Sequence, residues 1–155
     1  MVKNCMKKNV VSISESASIL EAALLMSKKH IGLLPVVDSQ MKLVGILGLS
    51  ELLSLELPAF FNLIPDLDFV SDFGAVETTR PTFEEVSRPV SALMQHPSPV
   101  TEDSGLLYAY AVMLKHNLSD LPVVAESGEL VGVVSRVDIG AAILSNWEQL
   151  KEPLP

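Results

Sequence analysis

The chain repeats itself at an interval of 87 residues. Pro35 in LLPVVD stands 87 positions before Pro122 in DLPVVA, and Gly45 in KLVGILG stands the same distance before Gly132 in ELVGVVS. The register runs without a gap from Ser14 against Thr101 to Glu51 against Asp138. It carries Glu15 onto Glu102, Ala22 onto Ala109, Met26 onto Met113 and Lys28 onto Lys115. An ungapped internal match of this length marks a duplicated unit, and whatever one copy folds into the other must fold into as well. The sequence therefore divides into a first repeat at 1–54, a connector at 55–89 and a second repeat at 90–155. A chain of 155 residues holds one domain, or two small ones sharing a core.

Each copy reads the same way. VVSI and SPVT are short runs that suit strands, and each leads into an acidic, helix-starting stretch, SESAS or TEDSG. Apolar residues then recur at helical spacing, Ile19, Ala22, Ala23 and Met26 in one copy and Leu106, Ala109, Tyr110 and Met113 in the other. Lys28, Lys29 and His30, and likewise Lys115 and His116, fall in the last turn, where positive charge suits the helix dipole. LLPVVD and DLPVVA read as strands whose starts are marked by Pro35 and Pro122. SQMK and ESGE read as tight turns, KLVGILG and ELVGVVS as partner strands, and a last helix begins near Ser50 or Asp138. The unit is β-α-β-β-α.

Composition narrows the function. A formal net charge of −8 argues against a general phosphate-backbone binder, which depends on accumulated Lys and Arg. Aromatics at 5% argue against stacking platforms for single-stranded nucleic acid. A single cysteine, Cys5, excludes an internal disulfide and suits a reducing cytoplasm. Lys3, Lys7 and Lys8 have no apolar run behind them, so no signal peptide is expected. The apolar stretch ELLSLELPAFFNLIPDL is broken by Glu51, Glu56, Pro58 and Pro65, so no membrane span is expected either. His30, His96 and His116 lack paired metal spacing, and neither a G-x-x-x-x-G-K nor a G-x-S-x-G pattern occurs.

The doubled pattern hPVV followed by hhGhhoxoDh, with h apolar and o Ser or Thr, resembles the tandem cystathionine-beta-synthase-type (CBS) domain pair of the stand-alone bacterial or archaeal type. It stands here as LLPVVDSQMKLVGILGLSEL and LPVVAESGELVGVVSRVDI, and the resemblance covers about residues 6–54 and 90–145. It implies an α/β (α+β) fold of two β-α-β-β-α repeats related by pseudo-two-fold symmetry, packed as one module that usually forms a homodimer. It also implies a cleft between repeats that takes an adenosine-containing ligand such as AMP, ADP, ATP or S-adenosylmethionine.

That resemblance places Asp138 where the family has its ribose-binding Asp, and Val137 where it usually has a phosphate-contacting Ser or Thr. A carboxylate at Asp138 can accept hydrogen bonds from both ribose hydroxyls, each worth about 1.5–3 kcal/mol because the acceptor is charged. A helix start supplies unpaired N–H groups and a favourable dipole for an anion, with Arg136 as a phosphate partner. Leu121, Pro122 and Val133 are candidates to hold an adenine ring against the backbone of Ser98, Pro99 and Val100, and Asp120 completes the set. The first copy offers a weaker site: Ser50 matches the hydroxyl position but Glu51 replaces the Asp, with Ile46, Val11, Leu34 and Pro35 around them. Against this stands a plainer reading. Asp138 and Ser50 both suit an N-cap, worth about 1 kcal/mol, Glu51 suits the helix dipole, and Gly45 and Gly132 suit close backbone approach within a sheet.

The connector carries all five Phe residues of the chain and is too apolar for a solvated linker. Short helices are expected there, with Phe60, Phe61 and Phe73 covering the core, or serving an oligomer contact or a lid. The sequence thus points to a non-catalytic regulatory module in the cytoplasm. It would sense an adenosine ligand, act as a homodimer and be read by an unidentified effector protein, with no cofactor required and no nucleic acid or membrane partner. The alternative is a structural dimerisation module whose ligand sites are degenerate.

Overall fold

A computed structural model describes residues 1–56 and 80–151. The first repeat forms β1 (Ile13–Ser14), α1 (Ile19–Lys29), β2 (Leu33–Val37), β3 (Leu43–Gly48) and α2 (Leu49–Leu53). A short helix α3 (Phe83–Val86) follows. The second repeat forms β4 (Val100–Thr101), α4 (Leu106–His116), β5 (Asp120–Val124), β6 (Leu130–Ser135) and α5 (Arg136–Ser145). The fold is mixed α/β, with two three-stranded sheets in the orders β1-β2-β3 and β4-β5-β6. Each repeat has the β-α-β-β-α order that its sequence predicts. Phe60, Phe61 and Phe73 fall outside the described residues.

Local chemistry sets the element ends. Ser18 caps α1 by accepting from the Glu21 N–H, while the Glu21 carboxylate accepts from the Ser18 N–H, a capping box. Both long helices stop on a left-handed residue, His30 at φ 57° and its repeat mate Asn117 at φ 53°. In the second sheet β4 runs parallel to β5 and β6 antiparallel to it. The β4 register begins at Val100 opposite Val123, so Pro122, which has no N–H to donate, has no β4 residue facing it. Ala109 and Met113 of α4 are buried with Val100, Leu121, Val123, Val134 and Ile139 in one core. Ile19, Ala22 and Met26 of α1 are likewise buried, as are Leu34, Val36 and Leu47.

The compact units do not follow the sequence repeats. One contains Met1–Ser12, Val37–Val44 and the described residues from His96 onward; the other contains Ile13–Val36 and the described residues within Gly45–Gln95. The leading segment of each repeat, a 3-10 turn at Val2–Asn4 or Val90–Ala92, is one cause, and the pairing of Lys42 with Glu129 is the other. In the first unit Val2 N–H donates to Ser104 O and Lys3 N–H to Glu102 O, both at 2.9 Å, and Val2 is fully buried. In the second unit Val90 N–H donates to Ala17 O at 2.7 Å and Ser91 N–H to Glu15 O at 3.2 Å. Each leading segment thus docks on the other repeat's α-helix entry.

The glycines in LVG make room for these segments. Lys7 and Val133 exchange two main-chain hydrogen bonds of 2.8 and 2.9 Å, and Gln95 and Ile46 exchange two of 2.8 and 3.0 Å. A Cβ on Gly132 would lie 2.8 Å from Met6 Sδ and 3.0 Å from Lys7 O; one on Gly45 would lie 2.5 Å from Met94 Sδ and 3.1 Å from Gln95 O. The close approach expected at these glycines is therefore made by the leading segments rather than within the repeat's own sheet. The turns at Met41 and Gly128 also pair reciprocally, Leu43 N–H to Gly128 O and Leu130 N–H to Met41 O, each 3.1 Å. Among the described residues no helix is long and apolar enough to cross a membrane.

Candidate functional site

The strand β6 enters α5 without an intervening loop. Ser135 is the N-cap: its Oγ accepts from the Asp138 N–H at 3.0 Å, and Asp138 Oδ2 accepts from the Ser135 N–H at 3.0 Å. The helix therefore starts at Arg136, before the expected start near Asp138, and Asp138 is the third helical residue of a capping box rather than the cap. A serine hydroxyl on the strand's last residue reaches the free N–H groups of the first turn, and the carboxylate returns to the cap. Asp138 is half-buried, and its Oδ1 has no hydrogen-bond partner among the described residues. Capping and ligand binding are thus compatible: one carboxylate oxygen closes the helix start while the other is left to accept.

Around this carboxylate the antiparallel register pairs Asp120 with Ser135 and Pro122 with Val133, which puts these four side chains on one face of the sheet. Leu121 pairs with Val134 and Val100 with Val123, and all four are buried in the core. The side chains of Leu121 and Val100 are therefore turned into the core. Arg136 is exposed; its main-chain N–H donates to Ser119 O at 2.8 Å and its guanidinium to Leu118 O at 3.1 Å. That second bond ties the guanidinium to the loop before β5, beside Asp120, which accepts from Ser119 Oγ at 3.2 Å. Val137 is exposed. Ser98 and Pro99 line an open groove of about 340 Å³ with Tyr108, Ala111, Val112, Lys115 and His116.

The first repeat's junction is chemically different. Gly48 stands where Ser135 stands, so α2 starts at Leu49 with no hydroxyl cap, and Ser50, expected as a cap, is its second residue. Glu51 Oε1 accepts from the Gly48 N–H at 3.3 Å, and the Ser50 hydroxyl donates to the other Glu51 oxygen. Ser50 and Glu51 thus satisfy each other, in a groove of about 330 Å³ shared with Ser54, Leu93 and Gln95. Leu34, Pro35 and Ile46 are buried, and Val11 falls in the unit of the second repeat.

Ser135 is the residue that the sequence reading passed over. The signal was present as the S-x-x-D spacing of Ser135 and Asp138, a capping-box signature. Cys5 packs against the second repeat's core, and burial pushes its thiol pKa up, with the negative charge of Asp138 adding to the effect. The protonated thiol is the unreactive form. Cys5 in the native protein is expected to react with a disulfide reagent at pH 8 several-fold more slowly than in the denatured chain, followed by thiolate release. Among the described residues no group of three or more His, Cys, Asp or Glu is placed to hold a metal ion.

The comparisons agree with this architecture. The CBS domain family model matches residues 2–57 and 90–145. The chain is 28% identical over 152 residues to the chloroplastic CBS domain-containing protein CBSX2 of Arabidopsis thaliana, covering 89% of this chain and 60% of that protein. It therefore spans less than two thirds of that relative. It is also 28% identical over 155 residues to an uncharacterised protein of Methanocaldococcus jannaschii, covering 93% of this chain and 91% of that one. The crystal structure of CBSX2 in complex with AMP superposes with a TM-score of 0.68 at 27% identity, over 97% of this chain and 98% of that one. The CBS domain pair of protein MJ0100, in complex with 5′-methylthioadenosine and S-adenosyl-L-methionine, shares the fold with a TM-score of 0.66 at 23% identity, over 94% and 97% of the two chains. With the family model matching both repeats, 2–57 and 90–145, the chain belongs to the CBS domain family.

Proposed function

We propose that this chain is a non-catalytic regulatory module that binds an adenosine-containing nucleotide at the second repeat. The observation that carries the reading is the Asp138 carboxylate, held by Ser135 through one oxygen and open at the other, beside the face shared by Pro122 and Val133. A carboxylate so held is preorganised to accept from the two hydroxyls of a ribose, and Arg136 adds the positive charge that a phosphate needs. AMP in the CBSX2 complex supports this ligand class. At the first repeat the mutual satisfaction of Ser50 and Glu51 leaves a negative charge and no free hydroxyl donor, which favours a site degenerate for phosphate. Calorimetric titration with AMP, ATP and S-adenosylmethionine tests the reading. Binding in the micromolar range is expected for at least one of them, and no heat up to millimolar concentrations would end it.

The output in this reading passes through a homodimer to an effector protein in the cytoplasm. Leu107 and Leu114, seven residues apart on α4, are 71% and 58% exposed, and Trp147 and Leu150 after α5 are 60% and 78% exposed, so the unit of the second repeat presents large apolar side chains at its surface. The homodimer is expected to bury this surface. Light scattering on the wild type should give twice the mass of the 16.8 kDa chain, and Leu107→Asp with Leu114→Asp should give the monomer. A monomeric wild type would remove the dimer from the mechanism.

A further inference from the structure

The first seven residues reach the candidate site from the side opposite β5. Lys7 pairs with Val133 along the edge of β6 that β5 leaves open. Two residues beyond Val133 the capping box of Ser135 and Asp138 begins. Met6 occupies the space over Gly132 that a side chain would take. Cys5 packs against the core that includes Ile139, the residue after Asp138. The segment is anchored at its other end by the buried Val2, the Val2 and Lys3 main-chain bonds, and an exposed ion pair of Lys3 with Asp103 at 3.1 Å.

This anchorage is thin for a segment so placed. It rests on four main-chain hydrogen bonds to the second repeat, the fully buried Val2, the partly buried Cys5 and Met6, and an ion pair exposed on both partners and therefore worth little. Segments held by few buried contacts open locally at far lower cost than the whole domain. A docked Lys7 adds two main-chain hydrogen bonds to Val133 on the edge of β6 away from β5, two residues before the capping box of Ser135 and Asp138.

We infer that Met1–Lys7 is a strap whose docking is coupled to nucleotide occupancy at the junction of β6 and α5, an inference that rests on the nucleotide reading above. The coupling works by order. With the strap docked, the Val133 edge is already fixed when the ligand arrives; with it undocked, part of the binding free energy goes into fixing that edge. Thermodynamic reciprocity requires the same factor in both directions: nucleotide favours the docked strap as much as the docked strap favours nucleotide. The strap's exposed continuation, Lys8 and Asn9, then carries the bound state into the chain leading to the first repeat.

Hydrogen exchange on the full chain, with and without saturating AMP, reads the coupling directly. AMP is expected to slow exchange at Val2, Lys3 and Lys7 by about fivefold or more, the lower end of ordinary coupling factors. Val2→Asp should weaken AMP binding by a matching factor while exchange in α4 stays protected, and Val2→Ala should do so to a lesser degree. If Val2→Asp does not fold, Val2→Ala and the wild-type exchange data decide. AMP binding to the wild type with unchanged exchange at residues 2–7, and with unchanged affinity in the Val2 variants, overturns the strap and leaves the nucleotide reading standing. Absence of binding by the wild type overturns both.

Discussion

Gly132→Ala is expected to lower the melting temperature by about 2–12 °C. The added Cβ would stand 2.8 Å from Met6 Sδ and 3.0 Å from Lys7 O. Met6 can swing away, but Lys7 O belongs to a main chain held by two hydrogen bonds to Val133, so relief requires the segment to lift. Forcing a methyl into a packed site costs about 1–3 kcal/mol, and a chain of this size loses roughly 2–4 °C per kcal/mol. Gly45→Ala meets the same obstacle at Met94 and Gln95 and should cost as much. The two sites share no neighbour, so the double variant should show nearly the sum. Gly140→Ala is the contrast: nothing lies within 4 Å of its Cβ position in α5, and it should raise stability by about 0.4–1 kcal/mol. Thermal unfolding followed by circular dichroism measures all four. A Gly132→Ala protein as stable as the wild type would mean that the leading segment is not docked as described.

Asp138→Asn is expected to weaken AMP binding about 10- to 100-fold with little change in stability. The Asn carbonyl can still accept from the Ser135 N–H, so the helix start survives, while the charge that strengthens bonds to ribose hydroxyls is gone. The difference between a charged and a neutral acceptor, together with a lost bond, is about 1.5–3 kcal/mol, which is the stated fold-change. Asp138→Ala removes the capping box as well and should also cost about 0.5–2 kcal/mol of stability. Titration calorimetry and thermal unfolding on the same samples separate the two effects. If Asn binds AMP as tightly as the wild type, the ribose contact is wrong and Asp138 serves the helix alone.

The sequence made local structure legible where the physics is local. Apolar spacing located α1 and α4, and the PVV and LVG runs located β2, β3, β5 and β6, because periodicity and burial act over neighbouring residues. SPVT shrank to Val100–Thr101, since Pro99 has no N–H to donate and the pairing of β4 with β5 begins at Val123, and the first strand lies at Ile13–Ser14, at and just past the end of VVSI. The start of α5 lies two residues before Asp138 because the S-x-x-D pair divides capping between Ser135 and Asp138, and α2 starts at Leu49 because Glu51 reaches back to the Gly48 N–H. The docking of the leading segments was not legible, for two reasons. Val2 aligns with Val90 and Met6 with Met94 at an interval of 88, one residue out of the main register. Their contacts also join residues about a hundred positions apart, as in Val2 with Ser104 and Lys3 with Glu102, which no local pattern encodes. At the candidate site the residue types were readable, but which side chains face the core was set by strand pairing, and that assigned Leu121 inward and Pro122 to the other face.

The crossing of the leading segments bears on how such a protein can arise and be cut. A single copy of the unit would leave its helix entry and its LVG edge uncovered, with its own leading segment fitted to a neighbour. A one-repeat ancestor would therefore trade these segments between two chains, and gene duplication would turn that trade between molecules into one within a molecule. Fragments divided in the connector should accordingly reassociate as complementary halves, each carrying the piece the other lacks.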